Sequence, residues 1–104
     1  MLGWTQTKEV ASLRLDRWLK VSRLIRRRPI ATNMCWGGRV KLNDVAAKPS
    51  AQVKVGDMVE VNYGRRLLRV RVEMVQESMP PQMAPMMYTV LYEHREPEPL
   101  EFYD

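Results

Sequence analysis

Between residues 14 and 41 the sequence places Arg14, Arg17, Lys20, Arg23, Arg26, Arg27, Arg28, Arg39 and Lys41 against a single acid, Asp16. The guanidinium group is a planar fork that matches phosphate oxygens, so such a cluster is built to hold a polyanion and not to break bonds. Three consecutive arginines, Arg26 to Arg28, repel one another and cost folding stability unless a counter-charge arrives. The residue types that do make and break bonds are solitary. Asp16 has no partner base, and its expected role is to stabilise a helix start or orient a neighbouring arginine. Cys35 is the only cysteine and His94 the only histidine, so neither a disulfide nor a metal cage can be assembled. There is no phosphate-cradling glycine loop, carboxylate pair or nucleophile triad. The expectation is a binding protein, not an enzyme, with no cofactor and no small-molecule substrate.

The elements that must position these cations can be read from periodicity. Leu15, Trp18, Leu19, Ser22 and Ile25 recur at three- and four-residue steps, which predicts an amphipathic helix with Arg17, Lys20 and Arg23 on another face. A second helix is predicted to start at Arg28-Pro29, where proline's missing N–H has no partner to lose. Its Ile30, Ala31, Met34 and Cys35 are expected to pack, and Gly37-Gly38 ends it. The period then changes to two. Residues 39 to 42 alternate, Asn43-Asp44 turns and Val45-Ala46 returns, a hairpin in which aspartate is less favourable than glycine at the second turn position. Short strands follow through Val53, Val59 and Val61 around Gly56-Asp57, and residues 67 to 75 alternate again. Leu15, Trp18, Leu19, Ile25 and Ala31 are assigned to the core. Trp36 has two readings, stacking on an unpaired base or burial. Tyr63 with Arg65 and Arg66 makes a second, weaker nucleic-acid-facing loop.

A chain of 104 residues fits one domain with one core. The organisation expected is an arm at 1–12, a body at 13–75, a Pro/Met-rich linker at 76–86, and a short strand with an acidic tail at 87–104. The net charge of +5 and pI near 9.7 favour a polyanionic partner. The acids are concentrated late: after Met74, Glu77, Glu93, Glu96, Glu98, Glu101 and Asp104 face Arg95 alone. The tail is expected to be flexible. No apolar run approaches the roughly 20 residues of a membrane span, and the N-terminus has no secretory pattern, so the expected location is the cytoplasm.

The order of features (Arg-Leu-Asp, the apolar stripe, the arginine triplet, Ala31, Gly38, Val40, Asn43, Pro49-Ser50, Gly56-Asp57) resembles the ribosomal-protein-S-four type RNA-binding domain. The resemblance covers residues 13 to about 61. The run RLDRWLKVSRLIRRRPIA and the late MYTVL are similar to the small stand-alone RqcP-like members, with the heat-shock-protein-fifteen family nearest in architecture. Two departures stand out: Arg27 where the superfamily often has serine, and Asn43-Asp44 where it often has Asn-Gly. The resemblance implies an α+β fold, two short N-terminal helices packed on a small antiparallel sheet. It implies association with the large ribosomal subunit, through ribosomal RNA and tRNA, in ribosome-associated quality control, with ribosome-associated proteins as further partners. An RqcP-like role would be to stabilise peptidyl-tRNA on an obstructed large subunit. Arg14, Arg23, Arg27 and Arg28 are the first-ranked RNA contacts; Arg17, Lys20, Arg39 and Lys41 come second. The alternatives are a heat-shock-type factor for dissociated large subunits, or a protein-interaction adaptor using the linker and tail.

Overall fold

Trp18 fixes how the helices meet the sheet. Its indole is fully buried, and its Nε1 donates to the Met74 carbonyl at 3.0 Å, satisfying the one polar atom that burial would otherwise strand. Around this contact the computed structural model describes residues 9–97. A short strand, β1 (Leu13–Arg14), runs directly into α1 (Leu15–Val21), and α2 (Arg28–Trp36) follows. Leu15, Trp18 and Leu19 are fully buried, as the stripe requires.

The first helix is shorter than the stripe that predicts it. Ser22 caps the last turn with its hydroxyl donating to the Leu19 carbonyl at 3.1 Å, and Arg23 takes a left-handed φ of 65°. Ile25 still reaches the core, but through this turn, its N–H bonded to the Leu19 carbonyl at 3.1 Å. Pro29 sits in the first turn of α2, and Gly38, at φ 75°, lies just past its end. Ala31 and Cys35 are buried, whereas Ile30 is 48% exposed and Met34 only partly covered. Of the expected four-residue packing face of α2, Met34 thus still packs against the core beside Ala31 and Cys35, and Ile30 alone turns outward.

The remaining elements are β2 (Val40–Leu42), β3 (Val45–Ala46), β4 (Gln52–Val53), β5 (Met58–Asn62), β6 (Arg66–Val72), a 3-10 helix (Pro81–Met87) and β7 (Tyr88–Arg95). Five strands form an antiparallel sheet in the order β3-β2-β5-β6-β7, while β1 pairs separately with β4. The register places Val40 opposite Val61, Val59 opposite Val70 and Val61 opposite Leu68, and all of these are buried on the face that carries the helices. The fold expected from the sequence, two helices on a small antiparallel sheet, is the one observed. At the β2–β3 turn Asn43 and Asp44 both have positive φ, 52° and 71°, the geometry of a type I′ hairpin.

The segment expected to be a linker is docked. Its prolines prevent an α-helical ladder, but residues 81–87 form the 3-10 helix instead, with Ala84 and Met87 fully buried. The Met87 carbonyl accepts from the N–H groups of Glu73 and Met74 at 2.8 and 3.2 Å. The following strand is also longer than expected and continues through Arg95, since Glu93 pairs with Arg66 at 2.8 Å and Arg95 at 3.2 Å. Of the predicted arm, Val10 donates to the Val75 carbonyl at 3.0 Å and Glu9 bridges Gln76. The Ser12 hydroxyl donates to Gln52 Oε1 at 2.8 Å, while residues 1–8 of the arm and 98–104 of the acidic tail lie outside the described residues. Among the described residues no helix is long and apolar enough to cross a membrane.

Candidate nucleic-acid interface

Asp16 lies in the first turn of α1, its side chain only 2% exposed. Arg14 approaches from the strand just before the helix, donating Nε to Oδ1 at 3.2 Å and Nη2 to Oδ2 at 3.1 Å. Arg28, at the start of α2, reaches Oδ1 at 3.4 Å, and the Thr32 hydroxyl donates to Oδ2 at 3.1 Å. Burial alone would raise the Asp16 pKa. The hydrogen bonds from Arg14 and Thr32 and the charges of Arg28 and Arg14 outweigh it, holding the carboxyl below its ordinary value. One carboxylate between two guanidiniums leaves the group net positive. Arg14 and Arg28 stay 47% and 43% exposed, so their surface edges can still meet an anion.

The turn from α1 to α2 carries the next cations. Arg23, Arg26 and Arg27 are exposed, and their guanidinium groups make no hydrogen bond or ion pair among the described residues. Arg26 and Arg27 stand beside an open depression of about 360 Å³ whose apolar lining includes Leu24, Ile30, Met34 and Tyr63. The Tyr63 hydroxyl donates to the Leu24 carbonyl at 2.7 Å and so ties the turn to the β5–β6 loop. Beside that loop, Arg39 lies near Gly64, where an added Cβ would be 4.0 Å from Arg39 Nη1. Lys20 and Arg23 border a smaller recess of about 90 Å³ with Glu77 and Met79, and Arg17 donates to the Glu77 carbonyl at 3.3 Å.

The cations singled out in the sequence thus form distinct groups. Arg14 and Arg28 share Asp16; Arg26 and Arg27 share the depression; Arg17, Lys20 and Arg23 lie toward the Glu77 segment. Lys41 does not join them. Strand alternation buries Val40 on the helix side and sends Lys41 to the opposite sheet face, where Glu60 lies across in register at 4.0 Å. Arg69, also on that face, donates to Glu60 at 2.9 Å.

The sequence reading missed Thr32, although its position one turn after Arg28 put both on one side of the helix. It also missed the apolar depression, because Ile30 was assigned to packing and Met34, which does pack on the core, also lines the opening. Trp36 is 65% exposed, which excludes burial in the core. Arg65 and Arg66 are engaged internally. Arg66 pairs with Glu93 and sits 5.1 Å from the Tyr63 ring centre, and Arg65 donates to the Pro97 carbonyl at 3.3 Å. Cys35 is buried, and burial first, then the Asp16 charge, push its thiol up to about 11, so it stays protonated at neutral pH. Among the described residues no group of three or more His, Cys, Asp or Glu side chains could hold a metal ion.

Residues 13–59 match the S4 domain, a span that includes both helices and the Asp16 cluster. An RQC P-site tRNA stabilizing factor of Listeria innocua is 40% identical over 87 residues, covering 84% of this chain and 95% of the relative. The chain belongs to the RqcP-like family of S4-domain proteins. A second RqcP-like relative, the RQC P-site tRNA stabilizing factor of Streptococcus pneumoniae, is 42% identical over 83 residues, covering 80% of this chain and 94% of the relative. The fold is shared with a trimeric heat shock protein 15 of Vibrio cholerae, 30% identical, with a TM-score of 0.72 over 76% of this chain and 81% of that one. The RqcP-like similarity thus extends beyond the S4 span of residues 13–59 on which the Asp16 cluster lies.

Proposed function

We propose that this chain is a non-enzymatic RNA-binding factor of the cytoplasm that engages the large ribosomal subunit during ribosome-associated quality control. Its RNA contacts are ribosomal RNA and a tRNA held in the P site. The observation that carries the reading is the cation arrangement of the two helices: Arg14 and Arg28 aligned on one buried carboxylate, with Arg23, Arg26 and Arg27 exposed and without an anion among the described residues. The P-site tRNA stabilizing role named for the Listeria and Streptococcus relatives supports the choice of partner. The protein contributes position and charge neutralisation, with shape and phosphate contacts outweighing base readout.

Sedimentation with purified large subunits tests this. The variant Arg14→Ala, Arg28→Ala, combined with Asp16→Asn so that no buried carboxylate is left without a counter-charge, should leave the subunit fraction while its circular dichroism stays native. Undiminished co-sedimentation would refute the assignment of these residues. The likeness to heat shock protein 15 favours a second reading, binding of large subunits dissociated by heat. Recovery of the protein with tailed nascent chains in unstressed cells supports the first reading; appearance on subunits only after heat shock supports the second.

A further inference from the structure

The depression between the α1–α2 turn and the β5–β6 loop is an odd partner for phosphates alone. Its lining by Leu24, Ile30, Met34 and the Tyr63 ring is mostly apolar, while Arg26 and Arg27 stand at it with no anion among the described residues. Docking a regular RNA helix there would neutralise the arginines but press hydrated phosphates against hydrocarbon, leaving the apolar surface without a complement. A flat, weakly hydrated ring carrying a phosphate on its own backbone matches both halves of the site. At about 360 Å³ the depression has room for one such ring and its sugar.

We propose that this depression receives a single unstacked nucleotide of the bound RNA, its base on Ile30, Met34 and Tyr63 and its phosphates on Arg26 and Arg27. The inference rests on the RNA-binding reading and deepens it: one unpaired residue in an otherwise structured RNA becomes the recognised feature. The site is held open by the Tyr63 hydroxyl, which donates to the Leu24 carbonyl at 2.7 Å. Ile30, 48% exposed, is held in place by a helix whose other side is buried through Ala31 and Cys35. Stacking of an unpaired base on aromatic and apolar side chains is tolerant of base identity, so the preference should be for an unpaired nucleotide more than for one base.

The full chain is titrated against five RNA hairpins of one stem, one fully paired and four bearing a single bulged A, C, G or U. Methyl shifts of Ile30 and Met34 are followed in parallel. The bulged hairpins should bind about ten-fold more tightly than the paired one and shift both methyls. Ile30→Gln, at an exposed site that leaves the fold intact, should reduce the preference to less than about two-fold with the paired hairpin bound as before. Arg26→Gln with Arg27→Gln should weaken all five. Equal binding of paired and bulged hairpins by the unaltered chain overturns the nucleotide site and leaves the RNA-binding reading standing. Failure to bind any of them overturns both. Movement of the methyls by a short apolar peptide with a free carboxylate, and not by the bulged hairpins, assigns the depression to a protein partner and overturns the proposal.

Discussion

The Asp16 carboxylate grips Arg14 at two points, Nε to Oδ1 at 3.2 Å and Nη2 to Oδ2 at 3.1 Å. Two points fix the plane of a guanidinium, where one would leave it to rotate. The same carboxylate also receives Arg28 and Thr32, so the start of α1, the start of α2 and the strand before them are joined at one buried charge.

Asp16→Asn keeps the shape but cannot hold two cations. It should destabilise the fold by about 1.5–3 kcal/mol, the range for hydrogen bonds to a charged group. The folded carboxyl has a pKa below its ordinary 3.8. Its contribution is therefore complete above the unfolded value and lost as pH falls through the folded one. Denaturant midpoints measured from pH 7 down to pH 2 should show the wild-type advantage over Asp16→Asn shrinking only below about pH 4. An advantage that persists unchanged at pH 2 would mean that charge is not its source.

Met87→Ala separates a docked segment from a linker. Met87 is fully buried and ends the 3-10 helix whose last carbonyl takes the Glu73 and Met74 N–H groups. Truncating it should cost about 2–4 kcal/mol in equilibrium unfolding, as for other buried methionines. A loss under about 0.5 kcal/mol, the size of a surface change, would show that the segment does not pack in solution.

Why one part of the chain was legible and another was not follows from the range of the interactions. Both helices, the Gly38 stop and the Asn43 hairpin announce themselves by local chemistry: a stripe, a proline in a first turn, residues that tolerate positive φ. The docking of residues 81–87 depends on a buried methionine and on carbonyls paired across the fold, and no window of sequence contains that information. The candidate site divides the same way. Its arginines are visible as composition, whereas their sorting into groups, with Lys41 sent to the far sheet face, is decided by strand register. Ile30 shows the remaining gap: helical spacing marks an apolar residue without saying whether anything covers it.

Tyr63→Phe removes the hydroxyl that ties the β5–β6 loop to the α1–α2 turn. A net loss of about 1 kcal/mol is expected, together with faster amide exchange through residues 23–27. Burial first, with Tyr88 and Glu93, raises the Tyr63 phenol above its ordinary pKa of 10.0 against the opposing charge of Arg66. A raised folded pKa means that this contribution is complete below the unfolded value and declines as pH rises through the folded one. Wild-type stability should fall above pH 10 by a share that Tyr63→Phe does not lose. Identical alkaline profiles for the two proteins would remove Tyr63 from the account.

Asp44→Gly should stabilise the chain. Asp44 occupies the second position of the β2–β3 turn at φ 71°, where a side chain is strained and glycine is not. Its ion pair with Arg69 is long, at 3.9 Å, and the carboxylate is 66% exposed, so solvent leaves little of that attraction to lose. Arg69 also keeps its closer partner, Glu60, at 2.9 Å. Relief of strain in the folded turn works against the greater freedom glycine gives the unfolded chain, which reduces the gain to about 0.5 kcal/mol. A thermal midpoint raised by a few degrees checks it. A lowered midpoint would show that the Arg69 contact outweighs the turn strain, and that aspartate holds this hairpin through its charge.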